Sequence, residues 1–230
     1  MKAGYEGFRM NWVGRLLTSS VGCKVLMAVT GAIMLFFLLG HVAGNLLVFA
    51  GADVINAYAR GLRDYLPLLW LLRAGLLISF VLHVIAAIRL TRLSRRARPV
   101  AYQKQDLSGV SLNSRTMVLS GLVLLAFIIY HLAHLTFRLT HPAFASLDDY
   151  DVYSMLQISF QQPLLAFTYI ISVALLMMHL SHGITSLFQT LGLNHTQYNG
   201  LIRCLGPALG LLLGLGFSSV PLAIMLRLLP

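Results

Sequence analysis

Charge is what this sequence has least of. Only 10% of its 230 residues are Asp, Glu, Lys or Arg, against about 25% in an ordinary soluble domain, so a water-facing surface cannot be covered. Acidic side chains are scarcer still, 7 against 17 basic ones. There are two cysteines, Cys23 and Cys204, far apart in the chain. Neither belongs to a C-x-x-C-H, which disfavours a covalently attached haem. No Gly-rich dinucleotide fingerprint is present, and no polar segment is long enough to hold a nucleotide-binding domain.

What fills the chain instead is apolar surface: 58% hydrophobic residues and a mean hydropathy of +0.80. Such a composition faces lipid. The apolar runs predict an all-α membrane bundle forming a single domain over residues 1–230, with five helices at about 25–52, 65–88, 116–138, 163–191 and 203–226. The third run is the clearest, because Arg115 and Arg138 bracket it and no charge lies between them. Its 22 or so residues reach about 33 Å, enough for a hydrocarbon core of about 30 Å. The first run is too long for a secretory leader and has no small-residue cleavage site near its end, so it reads as a retained span. Before it lies a polar, partly amphipathic lead containing Trp12, expected at the interface. Residues 52–64 are expected to lie outside the spans. His141-Pro142 breaks the third helix, whereas Pro163, and Pro207 in the fifth helix, are expected in first turns, where a missing N–H costs little. Arg73 is the one charge deep in a span, and must either snorkel or pair inside the bundle.

The formal net charge of +10 invites a nucleic-acid reading, but the positions of the charges argue otherwise. Lys2, Arg9, Arg15, Lys24, Arg89, Arg92, Arg95, Arg96, Arg98, Lys104, Arg115 and Arg203 all fall on one side of a five-span chain, while Asp148, Asp149 and Asp151 fall on the other. That asymmetry predicts a multi-pass protein with its N-terminus in the cytoplasm and its C-terminus outside. Nucleic acid is not an expected partner.

Histidine carries the chemistry. Four of the five runs hold one beyond their midpoint: His41, His83, His131 and His179, with His134 and His182 each three residues after a member of this set. Measured from the face where each helix enters, His41 and His131 lie about 26 and 24 Å up, and His83 and His179 about 27 and 24 Å down. The depths match in two pairs, one near each face. A lone intramembrane histidine is often a packing residue or part of a proton path. Paired imidazoles from facing helices are what a six-coordinate b-type haem requires, and two such haems about 15 to 20 Å apart would relay electrons across the bilayer. Gly40 and Gly44 beside His41, and Gly183 one turn after His179, would clear space for a flat macrocycle. His134 and His182 are candidates for alternative ligands, propionate donors or a quinone pocket. Trp12, Arg15, Ser19 and Ser20 form an interfacial stretch suited to the proximal haem or a quinone, and Arg89 and Ser186 are further propionate or quinone candidates. His195, in a polar turn, reads as an ordinary interfacial residue.

With these residues in view, the chain resembles the b558-type, five-helix dihaem cytochrome b membrane anchor of succinate dehydrogenases and fumarate reductases. The resemblance spans nearly the whole chain and rests on TGAIMLFFLLGHVAGNL from Thr30, SRTMVLSGLVLLAFIIYHLAHL from Ser114 and MMHLSHGITSLFQTLGLNH, which ends at His195. It implies two non-covalent haems b, with axial pairs His41 with His131 (outer) and His83 with His179 (inner). The family histidine of helix IV is followed by glycine 4 and 13 positions on; Gly183 and Gly192 give His179 that spacing, and His182 lacks it. The resemblance further implies a flavoprotein subunit and an iron–sulfur subunit as partners, a quinone (menaquinone is the expected type), the bacterial cytoplasmic membrane as location, and a higher-order oligomer of the complex as an option. The basic loop would suit haem propionates or an acidic face of the iron–sulfur partner, and positive-inside charge alone accounts for it equally well. Succinate chemistry itself would lie outside this chain. Met177 stands where some relatives carry a proton-transferring glutamate, and the start of the second helix offers only Arg63 and Asp64, so the direction of reaction is not fixed. Two alternatives stay open: a cytochrome b subunit of a hydrogenase or formate dehydrogenase, and a transporter using its histidines for protons without haem. Five spans without matched halves count against a repeat-built transporter.

Overall fold

The computed structural model describes residues 14, 19–97, 116–193 and 195–229. Among them there is no strand, and five helical segments are long and apolar enough to cross a membrane. We number the α-helices α1 (Ser20–Leu46), α2 (Ala52–Asp64), α3 (Leu66–Arg96), α4 (Met117–His131), α5 (Val152–Phe160), α6 (Pro163–Thr190) and α7 (Asn199–Met225). The spans are α1, α3, α4, α6 and α7.

Each helix end has a local cause. Ser19 caps α1 by accepting a hydrogen bond of 2.9 Å from the Gly22 N–H, which satisfies one of the donors left free in a first turn. The far end of α1 tightens into a 3₁₀ turn over Leu47–Ala50, and Gly51, at φ +99°, turns the chain into α2, a backbone conformation that favours glycine. Prolines lie in the first turns of α3 and α6, as the position tolerates. α4 passes into a π-turn at Leu132–Thr136.

Several boundaries differ from the sequence expectation. α3 runs on to Arg96 rather than stopping near residue 88, because its arginines are good helix formers and hydropathy marks where lipid ends, not where hydrogen bonding ends. α7 begins at Asn199, four residues before the expected start, so Pro207 lies inside the helix and not in its first turn. α5 was not expected: the acidic loop forms a short helix capped by Asp151, whose carboxylate accepts from the Ser154 N–H at 3.0 Å.

Backbones pack closely between α1 and α3, between α4 and α6, and above all between α6 and α7, with α1 also touching α6 and α7. The α1–α4 and α3–α6 pairs are not among the closely packed ones. The α6–α7 seam has a simple origin. Gly206, Gly210 and Gly214 recur every fourth residue along one face of α7; a Cβ at Gly206 would strike the Ser181 carbonyl, and one at Gly214 the Met177 side chain. Small residues let two backbones approach where no hydrophobic drive exists between helices in lipid.

The two ends of the bundle are built differently. At the end bearing Asp148, Asp149 and Asp151, here called the acidic end, α2 and α5 lie across the spans. A core of Val48, Ile55, Leu156, Phe160, Ala166, Tyr169, Val220 and Ile224 gathers beneath them. Asn56 of α2 clasps α5 by donating to Asp151 at 3.1 Å and accepting from the Tyr153 N–H at 3.1 Å. The opposite, basic end carries Lys24, the arginine-rich tail of α3 and Arg203.

Candidate functional site: two pairs of histidines between the spans

Toward the basic end, His83 of α3 leans on α1. Its Nδ1 lies 3.1 Å from the Thr30 hydroxyl, and its Cε1 lies 3.6 Å from where a Cβ on Gly31 would be. His179 of α6 leans on α4 in the same manner: Nδ1 is 3.3 Å from the Ser120 hydroxyl, and Cε1 is 3.6 Å from a Cβ position on Gly121. Both hydroxyl residues are 3% exposed, and the contacts they make with the half-buried rings lie between adjacent helices of the bundle. Each ring is therefore held at its Nδ1 edge by the helix next to its own.

Toward the acidic end, the His41 and His131 rings meet in an edge (T-shaped) arrangement, with centroids 6.0 Å apart and planes at 84°. Among the described residues no hydroxyl is hydrogen-bonded to either of them. His41 stacks on Phe37 at 5.2 Å and meets Phe217 of α7 at 5.6 Å; His131 lies between Phe127 at 5.9 Å and Tyr169 at 5.8 Å. The Nδ1 of His131 is buried and has no hydrogen-bond partner among the described residues. A buried polar atom without a partner costs about 1–3 kcal/mol.

His134 shares neither arrangement. It is completely buried, with Nδ1 2.8 Å from the Tyr169 hydroxyl and Nε2 3.2 Å from the Ser159 hydroxyl, and its ring stacks on Phe144 at 5.6 Å. Both ring nitrogens are engaged within the protein, which leaves none for a ligand. His182 and Ser186 are half-buried on α6 and take part in no side-chain hydrogen bond among the described residues. Arg89 is half-buried on α3. Ser19 spends its hydroxyl on the α1 cap and Ser20 is exposed. Trp12 and Arg15 lie outside the described residues.

Of the three glycines expected to clear space, Gly40 and Gly183 do border open space, whereas Gly44 is covered: a Cβ there would come within 2.9 Å of the Tyr58 ring. The reason is α2, which folds back over the end of α1. Arg73 takes the outward option, lying exposed with its guanidinium 5.3 Å from the Trp70 ring centroid. His195 accepts from the Gln197 N–H at 3.3 Å and stacks on Tyr198 at 5.2 Å, in the turn before α7. Among the described residues neither Cys23 nor Cys204 forms a disulfide.

Thr30 and Ser120 escaped the sequence reading, although a signal for them exists. Thr30-Gly31 precedes His41, and Ser120-Gly121 precedes His131, by the same 11 residues. Eleven residues are about 20° past three full turns and span about 16 Å, so a hydroxyl and a histidine share one face of α1, and again of α4, at two heights. No family model, curated protein or solved structure matches the chain.

Proposed function

We propose that this chain is a membrane-embedded dihaem cytochrome b, carrying one haem between His41 and His131 and one between His83 and His179. The observation that carries the reading is the His41–His131 pair. Two imidazoles each bonded to one metal at about 2 Å have centroids about 6 to 6.5 Å apart, and the observed separation is 6.0 Å. Two features of the residues fit such a group. The helix pairs that supply each histidine couple, α1 with α4 and α3 with α6, are among those that do not pack closely. His131 keeps a buried nitrogen with no hydrogen-bond partner among the described residues, and iron held by two histidines would take its other ligands from a porphyrin. When bound, haem iron supplies one-electron transfer. The chain's residues fix the rings, exclude water and set two sites about 16 Å apart along α1 and α4.

The partners follow from the resemblance. We place this subunit as the anchor of a succinate:quinone oxidoreductase in the bacterial cytoplasmic membrane, with the basic end cytoplasmic by the positive-inside rule. The arginines of α3 would receive the acidic face of an iron–sulfur subunit, which a flavoprotein subunit feeds or drains, and a quinone, menaquinone by expectation, would exchange electrons in the membrane. The test is a reduced-minus-oxidised spectrum of the purified chain with haem and protein quantified together. Two haems b per chain are expected; a ratio near one, or no α-band, overturns the proposal. Mass spectrometry of the native complex then decides the partners: a flavoprotein supports the anchor, and a nickel or molybdenum subunit assigns the cytochrome to a hydrogenase or formate dehydrogenase.

A further inference from the structure

Hydrogen-bond accounting at three histidines of the bundle, His83, His179 and the fully buried His134, gives each a definite tautomer, and the three are not alike. A hydroxyl has one hydrogen, and a carbonyl can only accept. The Thr30 hydroxyl lies 2.7 Å from the Leu26 carbonyl one turn back, so its hydrogen is committed there, and toward His83 its oxygen can only accept. The proton at that contact is therefore on His83 Nδ1. Ser120 repeats the pattern, with its hydroxyl 3.1 Å from the Met117 carbonyl and 3.3 Å from His179 Nδ1. A neutral imidazole carries one N–H. With Nδ1 protonated on both rings, Nε2 of each keeps a free lone pair.

His134 comes out the other way. The Ser159 hydroxyl is committed to the Met155 carbonyl at 2.6 Å, so it accepts from His134 Nε2–H. Nδ1 then accepts from the Tyr169 hydroxyl, and no lone pair is left. One rule thus separates two histidines ready to bind a metal from one that is closed.

We infer that Thr30 and Ser120 are positioning residues that lock His83 and His179 in the Nδ1–H tautomer and aim Nε2 of each at a shared metal, and that α1 and α4 each carry one such lock 11 residues before their own histidine. The metal part rests on the dihaem reading, and the tautomer part does not. An acceptor behind a ligating imidazole fixes its orientation and raises its basicity, which favours the oxidised metal. Removing the acceptor therefore raises the midpoint potential.

The experiment has two arms. In the first, ¹⁵N-histidine NMR of the full chain in detergent, prepared without haem, reads each tautomer directly. Nδ1–H signals for His83 and His179 beside an Nε2–H signal for His134 are expected, and Nε2–H at His83 and His179 overturns the inference. In the second, redox titration of the haem-loaded chain compares Thr30→Val and Ser120→Ala with wild type. Both variants should keep two haems and raise the midpoint of the same one, while Thr30→Ser and Ser120→Thr hold the wild-type value. Unchanged midpoints in both variants, with two haems present, overturn the inference. A wild-type chain that binds no haem sinks the dihaem reading instead, and the NMR arm still decides the lock.

Discussion

The two histidine pairs sit in the same bundle toward opposite ends, yet they are held by different forces. At the basic end each ring is fixed by one directional contact, a buried hydroxyl on the adjacent helix. At the acidic end the rings are fixed by shape, through Phe37, Phe217, Phe127 and Tyr169, and one Nδ1 has no hydrogen-bond partner among the described residues. The surroundings match this division: the acidic end has a packed core under two capping helices. Packing of that density tolerates little change in volume, so it can orient a ring without a hydrogen bond. Where packing is sparser, a hydrogen bond has to set the orientation.

The largest effects should come from removing the rings themselves. His131→Ala is expected to lower haem content from two per chain to one, and His179→Ala to do the same for the other haem. Combining both should abolish the α-band. His182→Ala should keep both haems, since His179 and not His182 is the ring seated on Ser120 and Gly121; loss of a haem in that variant would reverse the assignment within α6.

Next in size is a change that moves a helix without touching a histidine. Gly206→Leu would force α7 away from the Ser181 carbonyl of α6, and overpacking of this kind costs about 1–3 kcal/mol. Because Ser181 is two residues from His179, the basic-end haem should weaken first. Differential haem loss during mild heating, followed in the absorption spectrum, checks this, and equal loss at both sites would mean that the seam does not steer His179.

His134→Ala sharpens the contrast from the other side. It removes no ligand, so two haems are expected, but it strips the buried Tyr169 hydroxyl of its acceptor, at about 1–3 kcal/mol for a group left unsatisfied, while Ser159 keeps its bond to the Met155 carbonyl. A lower thermal midpoint with full haem content is the expected result. A missing haem would make His134 a ligand after all.

The smallest effect concerns the acidic-end clasp. Partial burial works against charge on Asp151, but hydrogen bonds from Ser154 and Asn56, with Arg138 nearby, hold its carboxyl below the ordinary 3.8. A depressed value means that the clasp contributes in full above pH 3.8 and is lost as pH falls through the lower folded value. A ¹³C titration of the Asp151 carboxyl should show that lowered midpoint, and Asn56→Ala should move it back up. No movement would assign the shift to Ser154 and Arg138 alone.

By itself the sequence determined what depends on distance along the chain. The five spans follow from the length of uncharged runs, the charge asymmetry of the two ends follows from composition, and the heights of His41, His83, His131 and His179 follow from a constant rise per residue. The tertiary structure alone decided what depends on rotation and on neighbours. His134, three residues after His131, would share its face in a continuous α-helix, but a π-turn intervenes and the ring ends between Tyr169 and Ser159. Gly44 reads as clearance beside His41 until α2 folds over it and Tyr58 fills the space. Nor does the chain order of Thr30 and His83, 53 residues apart, state that one holds the other. Periodicity fixes height and face within a single helix, whereas which nitrogen carries a proton is fixed by acceptors on a different one.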